Sequence, residues 1–224
     1  MLAFTNPTMD IAHLLDAAVL IFSFLLLSQR RLTSGIRIFA LQALALAAAS
    51  AWQAYIQDAP HLYITAFIAL TLKATVIPYA LHRIIAHFKI QRSVDMVLGI
   101  KTTMFVAVAL VILAIVLVFP VTASTGGFTR ESLSMALSVV LLGLLMMITR
   151  HNAIMQVVGF MSMENGLVLG AVGVRGMPLV VELCIAVFVL IAFIIFGIFF
   201  FHIRERFDTL DIDSLERVRG VWRK

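Results

Sequence analysis

The chain has 224 residues, of which 62% are hydrophobic and 13% charged, with a mean hydropathy of +1.06 and a formal net charge of +5. A soluble domain of this length has no interior large enough for that apolar share, so lipid must be its solvent. A single cysteine, Cys184, excludes an internal disulfide. The scattered histidines (His13, His61, His82, His87, His151, His202) predict no metal site, His82 and His87 coming nearest to a ligand pair.

In chain order, apolar runs of roughly 20 residues predict seven transmembrane helices, at about 11–29, 36–56, 62–85, 102–121, 132–149, 153–173 and 179–203. Short polar stretches separate them: "SQRRLTSG", "QDAPH", "HFKIQRSVD", "TASTGGFTR", "TRHN" and "RGMP". In lipid each segment must satisfy its own backbone groups, which selects helices, and the alternating ten-residue pattern of a β-barrel is missing. The expectation is an all-α integral membrane protein. No basic stretch precedes the first run and no small-residue cleavage site follows it, so it reads as a retained helix and not a signal peptide.

The sequence pI of about 9.9 reads as a topology signal before it reads as nucleic-acid affinity. With the N-terminus outside, fourteen basic residues fall on the inner side: Arg30, Arg31, Arg37, Arg83, Lys89, Arg92, Lys101, Arg150, Arg204, Arg206, Arg217, Arg219, Arg223 and Lys224. Only Arg130 and Arg175 fall outside. Positive loops stay inside, so the C-terminus is expected in the cytoplasm.

Four ionisable residues remain within spans: Asp16, Lys73, Glu164 and Glu182. Lys73 and Glu164 are each the twelfth residue of their predicted span, which at about 1.5 Å per residue puts both near the midplane. Their pairing would lower the cost of burying either; it reads as a structural salt bridge or as a proton relay with tunable titration. Asp16 and Glu182 lie within the first turns of spans that begin outside, and either can snorkel to the interface. For Asp16 that is the preferred reading. Pro78 removes a hydrogen bond to the carbonyl of Ala74 and is expected to bend the helix one turn beyond Lys73. Thr71 and Thr75 flank the lysine at i,i+4 spacing. On the sixth span Asn165 and Gln156 add polar groups, while Gly159, Ser162, Gly166 and Gly170 suit close helix packing.

The tail "FDTLDIDSLERVRG" combines a capping box (Asp213, Glu216) with a stop at Gly220. Leu210, Ile212, Leu215 and Val218 give it an apolar side suited to docking on a partner or a membrane surface.

"RHNAIMQVVGFMSMEN" and "LDIDSLERVRG" make the C-terminal half similar to the K subunit of complex I and the C subunit of multisubunit sodium/proton antiporters. With "LKATVIPYA" (Lys73, Pro78) and "PLVVELCIA" (Pro178, Glu182), the chain over roughly residues 12–220 resembles component E of hydrogenase-4-type and formate hydrogenlyase complexes. The resemblance implies a four-helix N-terminal region (1–130), a K-like three-helix region (131–203) and a cytoplasmic tail (204–224). It implies an accessory subunit, itself without catalysis or cofactor, in a bacterial or archaeal cytoplasmic membrane. Its partners would be antiporter-like subunits and the membrane subunit anchoring the redox arm, with the nickel–iron centre and iron–sulfur clusters held by partner subunits. The K subunit's membrane glutamates align with Met161 and close to Ala192, so Glu164 and Lys73 would have to act in their place. The competing readings are an assembly subunit whose charges lock helices, a subunit of a multisubunit cation/proton antiporter, and a stand-alone seven-helix transporter or receptor. The last lacks paired repeats with broken helices. No phosphate loop, metal cluster or nucleophile–base set supports catalysis within the chain.

Overall fold

The computed structural model describes residues 7–88, 99–121 and 127–174. All regular structure there is helical, and six helices are long and apolar enough to cross a membrane. They are α1 (Pro7–Ser28), α2 (Leu32–Gln57), a composite rod, α5 (Ile100–Val121), α6 (Gly127–Thr149) and α7 (Ala153–Gly173). The rod consists of α3 (His61–Ile68), a π-helical segment (Ala69–Val76) and α4 (Ile77–Phe88). The chain is therefore a multi-pass membrane protein by length and composition. The expected seventh span, Glu182 and the tail with Asp213 and Glu216 lie outside the described residues.

Several helices run past their expected ends. Helix α1 begins at Pro7, a residue suited to a first turn because its missing N–H has no helical partner to lose. The α2–α3 turn depends on Asp58, which adopts a left-handed φ of 50° while its N–H reaches back to Ala54 O. A short polar side chain tolerates that conformation better than a branched one. Pro60 then opens α3. Asn152 caps α7, its side chain accepting a 2.9 Å bond from Ile154 N–H.

Pro78 acts upstream of itself. In place of a simple kink, the turn before it widens, and the Ile77 N–H bonds to Leu72 O five residues back. Proline cannot donate and its ring crowds the carbonyl four residues earlier, so a π turn accommodates it without breaking the rod. The widened turn keeps Ala69, Lys73 and Ile77 on one buried face.

Helices α2 and α7 form the centre. Helix α6 lies along α7, α1 along α2 and against α6, and the rod against α2. Helix α5 covers α6 and turns Phe105, Ile112, Val116 and Phe119 outward. The most apolar helix, α5, is the least buried, and the least apolar, α7, is the most buried. That inversion suits a lipid solvent, where apolar faces gain nothing by hiding and small or polar residues pack inside.

Candidate functional site: a buried ion pair in an amide network

Lys73, Glu164, Asn165 and Gln42 each sit within about three residues, or 4–5 Å, of the midpoint of their helices. The π turn aims Lys73 at α7, and the ammonium pairs with Glu164 Oε2. It also donates to Asn165 Oδ1 at 3.1 Å. Lys73 is 6% exposed and Glu164 2%. Glu164 Oε1 is buried with no hydrogen-bond donor.

Asn165 extends the pair toward α2 and α1. Its Nδ2 donates to Gln42 Oε1 at 3.3 Å. Gln42 Nε2 in turn donates to Ser162 Oγ at 2.9 Å and to Ser23 Oγ at 2.7 Å. Ser23 closes the chain by donating to Val19 O at 3.0 Å. One connected set of polar groups thus ties α1, α2, the rod and α7 together at a single depth. Such groups have no solvent to fall back on in a bilayer, so each missing partner is costly.

Asp16 is not at the interface. Because α1 starts at Pro7, Asp16 is well inside the helix, 2% exposed, and its Oδ2 accepts from Ser132 Oγ at 2.7 Å. This corrects the snorkelling expectation: the earlier helix start carries the carboxylate deeper and turns it toward α6. One turn outward, His13 Nε2 lies 3.3 Å from Glu131 Oε2. Asp16 is seven residues from Ser23 on the same buried face, about 10 Å along the axis.

Thr71 and Thr75 do not serve the lysine. Thr71 Oγ1 donates to Phe67 O at 2.7 Å and Thr75 Oγ1 to Thr71 O. These are the i−4 back-bonds that helical hydroxyls make to their own helix, as Ser23, Ser138 and Thr149 also do here. Gln156 is also elsewhere, its Nε2 donating to Arg150 O at 2.8 Å at the start of α7. There Arg150 is buried and donates through Nη2 to Leu27 O, one of the last carbonyls of α1. A cation at a helix C-terminus is favourably placed. Burial lowers the Arg150 pKa to about 10, which leaves it charged at neutral pH.

Gln42 and Ser23 are the residues that sequence reasoning missed, and Ser162 had been counted only as small. A depth count would have found Gln42, the eleventh residue of a 26-residue helix and a lone amide in "FALQALAL". Among the described residues no group of histidine, cysteine or acidic side chains could hold a metal ion.

The chain is 30% identical over 199 residues to a Mycobacterium tuberculosis (strain ATCC 25618 / H37Rv) protein described as "Uncharacterized protein Rv0085". The match covers 88% of this chain and 90% of the relative. No family model and no solved structure matches the chain.

Proposed function

The chain belongs to the same family as this mycobacterial protein, and from that premise and its buried cluster we propose that it is a proton- or ion-translocating membrane subunit of a redox-driven complex. One observation carries the reading: a glutamate and a lysine pair at mid-depth, inside a connected amide network, with one carboxylate oxygen unpartnered. Intramembrane ionisable groups in such settings mark charge pathways. Glu164 accepts a proton at Oε1, and Lys73 follows by exchanging Oε2 for Asn165 Oδ1 as its main partner. Asn165 and Gln42 relay that rearrangement to Ser162 and Ser23.

The resemblance to hydrogenase-4 component E supports assembly with antiporter-like subunits and a nickel–iron redox arm, in a bacterial or archaeal cytoplasmic membrane. The apolar runs support seven spans, and the basic-residue distribution supports an outside N-terminus and a cytoplasmic C-terminus. The seventh would be the apolar run at 179–203, which carries Glu182.

The same bonds favour a second reading, in which the pair only locks the rod to α7 during assembly. Affinity purification from the native host followed by mass spectrometry tests the partners; a complex without redox subunits overturns the leading reading. Glu164→Gln in the assembled complex, reconstituted in vesicles, tests the mechanism. Translocation is expected to fall while assembly survives. Normal translocation leaves the pair as a lock.

A further inference from the structure

The composite rod and α2 leave a groove of about 470 Å³ on the outer face of the bundle, lined by Ile36, Arg37, Ala40, Pro78, Tyr79, His82 and Arg83. Among the described residues no acidic side chain is in that lining, and none pairs with either arginine. The walls below are apolar, supplied by Ile36, Ala40 and Pro78.

Depth makes these charges unusual. Arg37 lies about 11 Å from the midpoint of α2, and Arg83 about 13 Å from the midpoint of the rod, at 1.5 Å per residue. Both Cα atoms therefore fall just inside a hydrocarbon half-thickness of about 15 Å. Both side chains are exposed on the surface of the bundle. A guanidinium facing acyl chains at this level needs a counter-anion or must stretch to the interface. Two of them border one groove, with the half-exposed His82 next to Arg83 in sequence. A guanidinium's planar fork matches phosphate oxygens. Tyr79, 67% exposed, offers an amphipathic ring at the same rim.

We propose that this groove binds one anionic glycerophospholipid, its phosphate held by Arg37 and Arg83 and an acyl chain lying along Ala40 and Pro78. A soluble phosphate would have no use for the apolar floor, and a zwitterionic lipid would bring its own cation against the two arginines. The site is independent of any transport role. It nonetheless borders Pro78, so an occupied groove would brace the rod that carries Lys73.

The full-length protein in neutral detergent, titrated with phosphatidylglycerol or phosphatidylethanolamine and read by native mass spectrometry, tests this. Near a membrane surface each basic residue contributes about fivefold, so wild type is expected to prefer phosphatidylglycerol by about thirtyfold. Arg37→Gln/Arg83→Gln should abolish the preference. Arg30→Gln/Lys101→Gln, which removes two exposed charges outside the groove, should keep it. If the double variant does not fold, Arg83→Gln alone should lose about fivefold of the preference. Equal binding of the two lipids, or an equal loss in the control variant, overturns the site. Displacement of the lipid by millimolar inorganic phosphate overturns it in favour of a soluble anion. Tighter binding of a polyglutamate peptide overturns it in favour of an acidic protein partner.

Discussion

A methyl group added at Gly143 or Gly166 tests how the ion pair is held in place. At Gly143 the new Cβ would stand 2.5 Å from Met163 N, 2.6 Å from its Cα and 2.7 Å from its Cβ. At Gly166 it would stand 2.7 Å from Val140 N and 2.9 Å from Ala136 O. Carbon contacts are comfortable from about 3.5 Å, so α6 and α7 must part by roughly 1 Å. The obstacles are backbone atoms, which cannot rotate away. Met163 precedes Glu164 and Gly166 follows Asn165, so parting the helices also displaces both side chains from Lys73 and Gln42. Overpacking of this kind costs about 1–3 kcal/mol, and each kcal/mol is worth about 2–4 °C in a chain of this size. Gly143→Ala and Gly166→Ala should therefore lower the melting temperature of the detergent-purified protein by several degrees, read from tryptophan fluorescence. Gly99→Ala meets nothing within 4 Å and should melt like wild type. Gly35→Ala meets only the flexible end of Met155 and should cost less than either. A wild-type melting temperature for Gly143→Ala or Gly166→Ala would refute the backbone-to-backbone packing.

Lys73→Met leaves a buried carboxylate without its cation and should cost about 3–5 kcal/mol. Adding Glu164→Gln should recover part of that loss; strictly additive losses in the double-mutant cycle would mean the two groups do not pair. Gln42→Leu leaves Asn165 Nδ2 without its acceptor and removes the donor to Ser162 and Ser23, and should cost about 1–3 kcal/mol, measured by SDS-induced unfolding. Asp16→Leu should destabilise the protein while Asp16→Asn, able to keep the Ser132 hydrogen bond, stays close to wild type. Equal stability of both would return Asp16 to the interface. For orientation, a cysteine replacing Asp58 should react with an impermeant maleimide in intact cells and one replacing Arg30 only after permeabilisation. The opposite pattern overturns the assigned topology.

Sequence alone determined the helical, lipid-embedded class, since run length and the need to satisfy every backbone group in place leave little choice. It also placed Lys73 and Glu164 at one depth, because depth is a count of residues along a rod. Packing, by contrast, is a matter of azimuth, and azimuth depends on contacts between distant segments. Whether Lys73 faces Glu164 is set by the π turn before Pro78 and by how the rod packs on α2 and α7. Asp16 went inward because α1 gained a turn at its start, a boundary that apolar run length does not define. Thr71 and Thr75 flank the lysine by spacing, yet their hydroxyls bond to carbonyls of their own helix. Gln42 was legible only as an isolated amide. Its partners on α1 and α7, 19 and 120 residues away for the two serines, are brought to it by tertiary packing alone, because hydrogen bonds between helices form only where the helices are pressed together.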